Sequence, residues 1–412
     1  MRRRSRRVAA HRRPRALSEA VSRSSARPGV RPFAAVSFAY FAFAGLFGTY
    51  APLWFQSLGY TTLAIGALTS LQSATRLFAP YAWGYWADHQ GRREGLLRLA
   101  VAGALIASMG FFAAPRPVWI ASVCAALFIC TAGVVPISEA ALAHRVSHGD
   151  RVDLGRYGRV RLWGSLGFIG AVTASGFALQ WLGVGRFPFI CSGVLVALLL
   201  AVLRLPASVE AAPAEGPRAG ALRVLREPVV AWFFAGVFLT VLGHTGLYAF
   251  FSLYLSSLGY AKGEIGLLWA IGVVAEVGWF YFQGRWSHRL PTHGWLLLAA
   301  LVSALRFAVI AAFGGNPVLL VAAQCLHALT FAAQHAACIA VVSKHFPGRL
   351  RGRGQALYTV LGYGASGVIG GLGGGAISEA FGLSAVFWAA SVASLAAAFT
   401  CWRALSIDPV SR

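Results

Sequence analysis

Ser57-Leu58-Gly59-Tyr60 returns two hundred residues later as Ser257-Leu258-Gly259-Tyr260. At the same offset Leu53 meets Leu253, Ile65-Gly66 meets Ile265-Gly266, and Leu68 meets Leu268. Tyr81, Gly84 and Trp86 meet Tyr281, Gly284 and Trp286, which makes eleven identities between residues 50 and 86 and their partners. Self-similarity at a fixed offset marks a structural unit used twice. The 412-residue chain therefore reads as two related halves.

The surroundings of the repeat say what kind of halves these are. Hydrophobic residues make up 58% of the chain and charged residues 12%, with a mean hydropathy of +0.65. Soluble domains run at about 45–50% apolar and about 25% charged. A soluble enzyme, a secreted domain and a disordered scaffold are excluded as the main body. The apolar residues fall in runs of about 20, the length that crosses a bilayer's hydrocarbon core. Spans are expected at 33–57, 62–86, 95–114, 118–143, 158–181 and 186–205, then at 228–256, 263–286, 294–313, 317–343, 354–379 and 383–403. They are called spans 1 to 12. The longest internal break, 206–227, holds Pro206, Pro213, Gly216, Pro217 and Gly220. The expected organisation is a disordered basic tail (1–32), a six-helix half (33–205), a linker (206–227), a second six-helix half (228–405) and a short tail (406–412). The fold class is an all-α polytopic membrane protein.

Charge fixes an orientation. If the N-terminus is cytoplasmic, 31 of the 36 Lys and Arg lie on the cytoplasmic side and only Arg116, Lys262 and Arg186 on the other. Cytoplasmic loops carry such an excess, so both termini are expected inside, in a bacterial inner membrane, with the linker also cytoplasmic. The first 31 residues hold eleven arginines and one acid, Glu19. They contain no apolar stretch, so they are not a secretory signal. They read as a tail drawn to anionic lipid, and without a folded reading element nucleic acid is not an expected partner. Cys124, Cys130, Cys191, Cys325, Cys338 and Cys401 all sit in apolar runs without a CxxC spacing. They read as small buried hydrophobes, with no metal site expected.

The loop after span 2 reads Gly84-Tyr85-Trp86-Ala87-Asp88-His89-Gln90-Gly91-Arg92-Arg93. It resembles the signature of the major facilitator superfamily, with His89 where a fixed cation is usual. The resemblance implies the major facilitator fold: twelve transmembrane helices in two six-helix halves, with a binding site between them near the midplane. In this motif Gly84 would permit close helix approach and Gly91 a tight turn. Asp88 would accept hydrogen bonds from Arg92, Arg93 or a helix end, forming a conformational latch. After span 8 a degenerate copy keeps Gly284 and Arg289 but has His288 in place of the acid.

Charges inside spans are costly, about 2.5–3.5 kcal/mol each at the centre on insertion scales, and are functional candidates by default. Here they are Arg76, Glu139, Glu276 and Arg306, with His244, His327 and His335 as further titratable groups. Arg76 and Glu276 stand at the repeat offset, so the two halves carry opposite charges at equivalent places. The glycines of span 11, from Gly362 to Gly375, belong to no nucleotide-binding loop, since G-x-x-x-x-G-K-[ST] occurs nowhere. Small residues of this kind let helices pack closely.

Three stretches narrow the resemblance. They are Tyr157-Gly158-Arg159-Val160-Arg161-Leu162-Trp163-Gly164-Ser165, Gly272-Val273-Val274-Ala275-Glu276-Val277, and Gln324-x-Leu326-His327-x-x-Thr330-Phe331-x-x-x-His335. Together they look like the phenylpropionic acid transporter family, and the resemblance implies import of aryl-propionates with protons. The wider layout is also similar to the lactose permease family, whose acid after the span-10 histidine is here Thr330. The resemblance implies Arg76, Glu139, Glu276, Arg306, His327 and His335 as matched polar positions. With Thr330 in place of that acid the proton carrier does not carry over, and Glu276 takes the role by default, with His327 and Glu139 as the next proton-coupling candidates. Arg76, Arg306, His335 and Arg161 are the substrate-binding candidates, since a guanidinium matches a carboxylate with two parallel hydrogen bonds. Drug antiporters of the superfamily carry a Gly-Pro signature in span 5, which has no proline here. The expected function is alternating-access, proton-coupled import of a small organic, aromatic acid. A sugar or nucleoside symporter, a drug efflux antiporter and a membrane-embedded enzyme or sensor are the alternatives. No cofactor is expected beyond the proton gradient, and the expected partners are substrate, protons and lipid, with the chain a monomer.

The topology is testable without a substrate. Reporter fusions after residue 220 should report the cytoplasm and fusions near residue 260 the opposite side; the reverse pattern would overturn the orientation.

Overall fold

The computed structural model describes residues 29–90, 93–113, 115–148, 151–206 and 221–408. The basic tail, the latch residues Gly91 and Arg92 and most of the central break lie outside them, as does the Asp88 side chain. Eleven helices among the described residues are long and apolar enough to cross a membrane. Span 2 is the twelfth. It comes in two pieces, Thr62–Thr75 and Ala79–Gln90, each too short to cross alone. The cause is local: Pro80 lacks the N–H that would meet the Arg76 carbonyl, and its ring crowds that carbonyl. Arg76, Leu77 and Phe78 form the turn between the pieces. The equivalent stretch of span 8 has Phe280 at this place and runs unbroken over Lys262–Phe282.

Spans 1, 3, 5 and 6 follow the expected boundaries closely, at Arg31–Ser57, Arg93–Met109, Leu154–Leu182 and Phe187–Leu203. In the second half Pro228–Ser257, Thr292–Phe313 and Leu383–Ile407 form spans 7, 9 and 12. Span 4 is Pro117–Thr131 followed by Val134–Val146. Spans 10 and 11 each contain a π-helical segment, Ala328–Ala333 and Tyr358–Ala365. Such segments are rare and concentrate at functional sites. A two-residue hairpin, Ser147–His148 against Arg151–Val152, links spans 4 and 5.

The repeat is visible in the turns as well as the spans. Gly59 and Gly259 end spans 1 and 7 with positive φ, and Gly183 and Gly382 end spans 5 and 11 the same way. A side chain is strained in that conformation, which is why glycine recurs.

The halves meet along span 5 against span 8 and span 2 against span 11. Small residues make these approaches possible. A Cβ on Gly66 would strike the Gly371 carbonyl, and one on Gly266 would strike the Val172 carbonyl. Ser70 Oγ donates to Gly66 O at 2.8 Å within its helix and reaches Val368 O of span 11 at 3.1 Å. These approaches lie toward the end that carries Gly59, Gly183, Gly259 and Gly382, called here the closed end. At the opposite end the second piece of span 2 packs on spans 3 and 4 of its own half. A Cβ on Gly84 would meet nothing within 4 Å, so the expectation that this glycine serves a close helix approach is corrected for this conformation. The reason is that its face of the helix meets no neighbouring backbone.

Gly167 and Gly170 give a matched test of this packing. A Cβ on Gly167 would run into the Phe38 backbone, whereas one on Gly170 would meet nothing within 4 Å. Gly167→Ala should destabilise the protein by about 1–3 kcal/mol through overpacking. Gly170→Ala should leave the melting temperature in detergent unchanged or slightly raised.

Candidate functional site

The buried centre of the second half is Arg306 on span 9, which is fully enclosed. A guanidinium away from water needs acceptors for its donors. Span 10 supplies three. Arg306 Nη2 donates to Gln324 Oε1 at 2.6 Å, and Nη1 donates to Thr330 Oγ1 and His327 Nδ1, both at 3.0 Å. Gln324 precedes the π segment, His327 opens it and Thr330 lies within it. The altered winding brings all three toward one point on span 9. Gly272 of span 8 lets His327 and Gln324 come within 3.6 Å of where its Cβ would stand.

Arginine only donates, so His327 Nδ1 is the acceptor and the ring's proton sits on Nε2. That nitrogen faces Glu276 Oε2 at 3.8 Å. Glu276 and Arg306 are therefore linked in series through His327. Two expectations are corrected here. In this conformation Arg306 is closed to a substrate carboxylate, because it is wholly buried and three side chains take three of its five N–H donors, with Nε buried and unpartnered. In this conformation a second proton on His327 would have to go on Nδ1, facing the arginine, so the ring is not placed to act as a proton carrier here.

Beyond His327 the π segment presents a stack of rings. Phe331 lies parallel to His327, with centroids 5.1 Å apart, and to His335, at 6.1 Å. Hydrogen bonds from i to i+5 widen the turn, so rings four residues apart come nearly into line. His335 Nδ1 meets Tyr358 OH at 3.1 Å, and Tyr358 OH meets Tyr363 OH at 3.2 Å. Both tyrosines belong to the π segment of span 11. The sequence reading missed them. Two tyrosines five apart in a glycine-rich apolar span were the available signal. His244 of span 7 stands behind Arg306, with Nδ1 donating to Thr240 O at 2.8 Å and its ring against Phe307.

The first half contributes different chemistry. Arg161 Nε lies 3.2 Å from Glu139 Oε1, and the guanidinium sits 4.7 Å from the centre of the Phe41 ring. The Arg161–Glu139 pair is too poorly aligned for a hydrogen bond. At 47% and 34% exposed, the two side chains border open space. They help line a small cleft with Ser37, Tyr40 and Ser138. The Arg161 Nη atoms make no hydrogen bond to the described residues, and neither does the side chain of Arg76, which sits half-buried at the break in span 2. The Arg161 charge reaches Glu276 and His335 of the other half, and the Arg76 charge reaches Tyr248 and Tyr363. The site thus has two walls. One carries two guanidinium groups with free donors, and the other carries a carboxyl, imidazoles, phenols and a phenyl ring. Arg93, the last residue of the latch motif, opens span 3.

This arrangement has relatives. The profile of the MFS_1 like family matches residues 32–389. The chain belongs to that family and is a membrane transporter of the major facilitator type, with a small-molecule substrate. A probable 3-phenylpropionic acid transporter of Escherichia coli K12 is 27% identical over 371 residues, covering 88% of this chain and 94% of the relative. A maltose permease of Geobacillus stearothermophilus is 30% identical over 280 residues, covering 66% of this chain and 68% of the relative. Among solved structures, a mutant of the nucleoside transporter NupG superposes with a TM-score of 0.80 at 18% identity, covering 91% of this chain and 99% of that one. That likeness speaks to the fold.

The two arginines should separate by stability. Arg306→Lys cannot serve three acceptors in the same geometry, and each charge-assisted hydrogen bond lost costs about 1.5–3 kcal/mol. Its melting temperature should fall markedly. Arg76→Lys removes no side-chain hydrogen bond or ion pair and should stay within about 0.5 kcal/mol of the parent. Equal melting curves for the two variants would refute the division.

Proposed function

We propose that this transporter imports a small organic acid with an aromatic portion, together with protons, across a bacterial inner membrane. The observation that carries this reading is the pair of guanidinium groups with free donors, Arg76 and Arg161, opposite the ring stack of spans 10 and 11. A guanidinium meets a carboxylate with two parallel hydrogen bonds and keeps its charge in a dry cavity. The acid group of the substrate would lie against the first half and its ring against Phe331, His335 and Tyr363. The likeness to the probable 3-phenylpropionic acid transporter supports an aromatic acid as substrate.

Glu276 is the proposed proton carrier. A carboxyl changes its proton affinity with hydration and with the charges it faces. Rocking one half against the other would alter the distance from Glu276 to Arg161 and its access to water. Loading the proton on one side and releasing it on the other follows from that change. Glu139 has its own cation in Arg161 and would adjust that arginine's position. With both termini inside, the open end faces the cytoplasm, and Asp88 with Gly91, Arg92 and Arg93 would form the latch that fastens that end in the opposite state. A second reading, sugar or nucleoside symport, draws on the maltose permease relative.

Uptake by vesicles under an imposed pH gradient tests the proposal. A panel of labelled aromatic acids, sugars and nucleosides should show accumulation of the acids. Arg76→Lys should weaken that uptake by about tenfold, one bidentate contact being worth about 1–3 kcal/mol in comparable pairs. Glu276→Gln should lose uphill accumulation and retain exchange of substrate across the membrane. Accumulation of sugars alone would establish the second reading, and full accumulation by Glu276→Gln would remove it from the coupling step.

A further inference from the structure

The N-terminal turns of spans 2 and 8 leave backbone N–H groups without intrahelical partners, as all helices do. Each is capped from the other half. Gly263 N, the second amide of span 8, donates to Gln180 Oε1 of span 5 at 3.1 Å. Leu63 N, the second amide of span 2, donates to Glu379 Oε2 of span 11 at 3.3 Å. Residues 63 and 263 are repeat partners. Residues 180 and 379 stand one short of the same offset, as do Gly183 and Gly382, which end those two helices. The two hydrogen bonds are thus copies of one contact, related by the symmetry of the halves. Both sit at the rim of the closed end, and both cross from one half to the other.

Other amides of these turns are served from within their own half. Thr61 Oγ1 accepts from Ala64 N at 3.3 Å, and Glu264 Oε2 accepts from Ala261 N at 2.7 Å. The second amide of each helix depends on the opposite half. If the halves parted at this end, those two bonds would break, and each amide would turn to water. Their effect on the overall helix stability is small, but their effect on the balance between closed and open is direct.

We infer that Gln180 and Glu379 are reciprocal latches that hold the closed end shut by capping helices of the opposite half. They are positioning residues for the transport cycle, and they do not touch the substrate. This rests on the alternating-access reading for its role in transport, but the latches themselves are read without any substrate. A side-chain cap is worth roughly a factor of five in an equilibrium. The acceptor is what matters, since an amide serves on one side and a carboxylate on the other.

The test places a cysteine in the closed interface, Ser70→Cys, in the full-length chain, and follows its alkylation in membrane vesicles by an impermeant maleimide applied to the closed end. The native cysteines are measured in the parent and subtracted. Glu379→Ala and Gln180→Ala should each speed labelling about fivefold, and the double variant should exceed either. Glu379→Gln keeps an acceptor oxygen and should label at nearly the parent rate. Ser108→Cys, buried in the first half against Ser192, is the control and should be unaffected. Unchanged labelling in both single variants overturns the inference, as does a Glu379→Gln rate equal to that of Glu379→Ala. Equal acceleration at Ser108→Cys would mean general loosening and would also overturn it. The exposed single truncations decide the question whether or not the double variant folds. A failure of substrate uptake with normal labelling behaviour would count against the transport reading alone.

Discussion

A guanidinium with no exposed surface, inside a helix bundle, is the constraint to which the second half answers. Arg306 cannot be left without acceptors, because an unpaired buried polar group costs far more than a hydrogen bond returns. Three acceptors must then come from one neighbouring helix, and a regular α-helix does not offer residues 324, 327 and 330 to one point so closely. The π segment at Ala328–Ala333 supplies the change in winding. The same change aligns the rings of His327, Phe331 and His335. The ring stack thus follows from where Arg306 finds its acceptors.

The duplicated architecture makes the asymmetry of the chemistry plain. Arg306 corresponds to Ile106, His327 to Leu127, Arg161 to Leu361 and Glu139 to Ile339. Arg76 and Glu276 correspond to each other with opposite sign. The close approaches at Gly66 and Gly266 and the paired helix caps at the closed end are kept in both copies, while each of these polar devices inside the bundle is present in one copy only. Tyr50 extends this pattern: its hydroxyl lies 2.6 Å from Val172 O and 3.2 Å from Lys262 O, and its partner Phe250 has no hydroxyl. Symmetry serves the motion of two halves against each other. A ligand with a charged end and an apolar end needs the opposite, two unlike walls.

The spans, the duplication and the placement of charges at depth were legible in the sequence because each rests on a one-dimensional signal. Runs of apolar residues have the length of a bilayer, and the repeat has a fixed offset. Charge inside a run needs no structure to be noticed. What was not legible depends on winding and rotation. Pro80 breaks span 2 and so places Arg76 at a turn, which a hydropathy profile reads as one continuous span. Arg306 and Arg76 look alike in sequence, and only the rotation of span 9 toward Gln324, His327 and Thr330 separates a buried structural arginine from one with free donors. Tyr358 and Tyr363 were missed because their pairing depends on a π segment, whose i to i+5 bonds have no propensity signature comparable to that of a cap or a heptad.

The closed end shows why small residues gather where the halves meet. Gly66, Gly371 and Gly375 bring span 2 against span 11, and Gly176, Gly263 and Gly266 bring span 8 against spans 1 and 5, at distances that exclude side chains. Between apolar helices in a bilayer there is no hydrophobic drive to associate, so contact is held by dispersion and by polar groups. Such an interface has few interlocked side chains to disengage. Parting it exposes backbone and hydroxyls such as Ser70 and Tyr50, which water satisfies well, so the cost of opening stays moderate. A core of interdigitated leucines would resist the same motion through every side chain that had to leave its socket. The glycines therefore do two things at once: they allow backbone-to-backbone packing between the halves, and they keep that packing reversible.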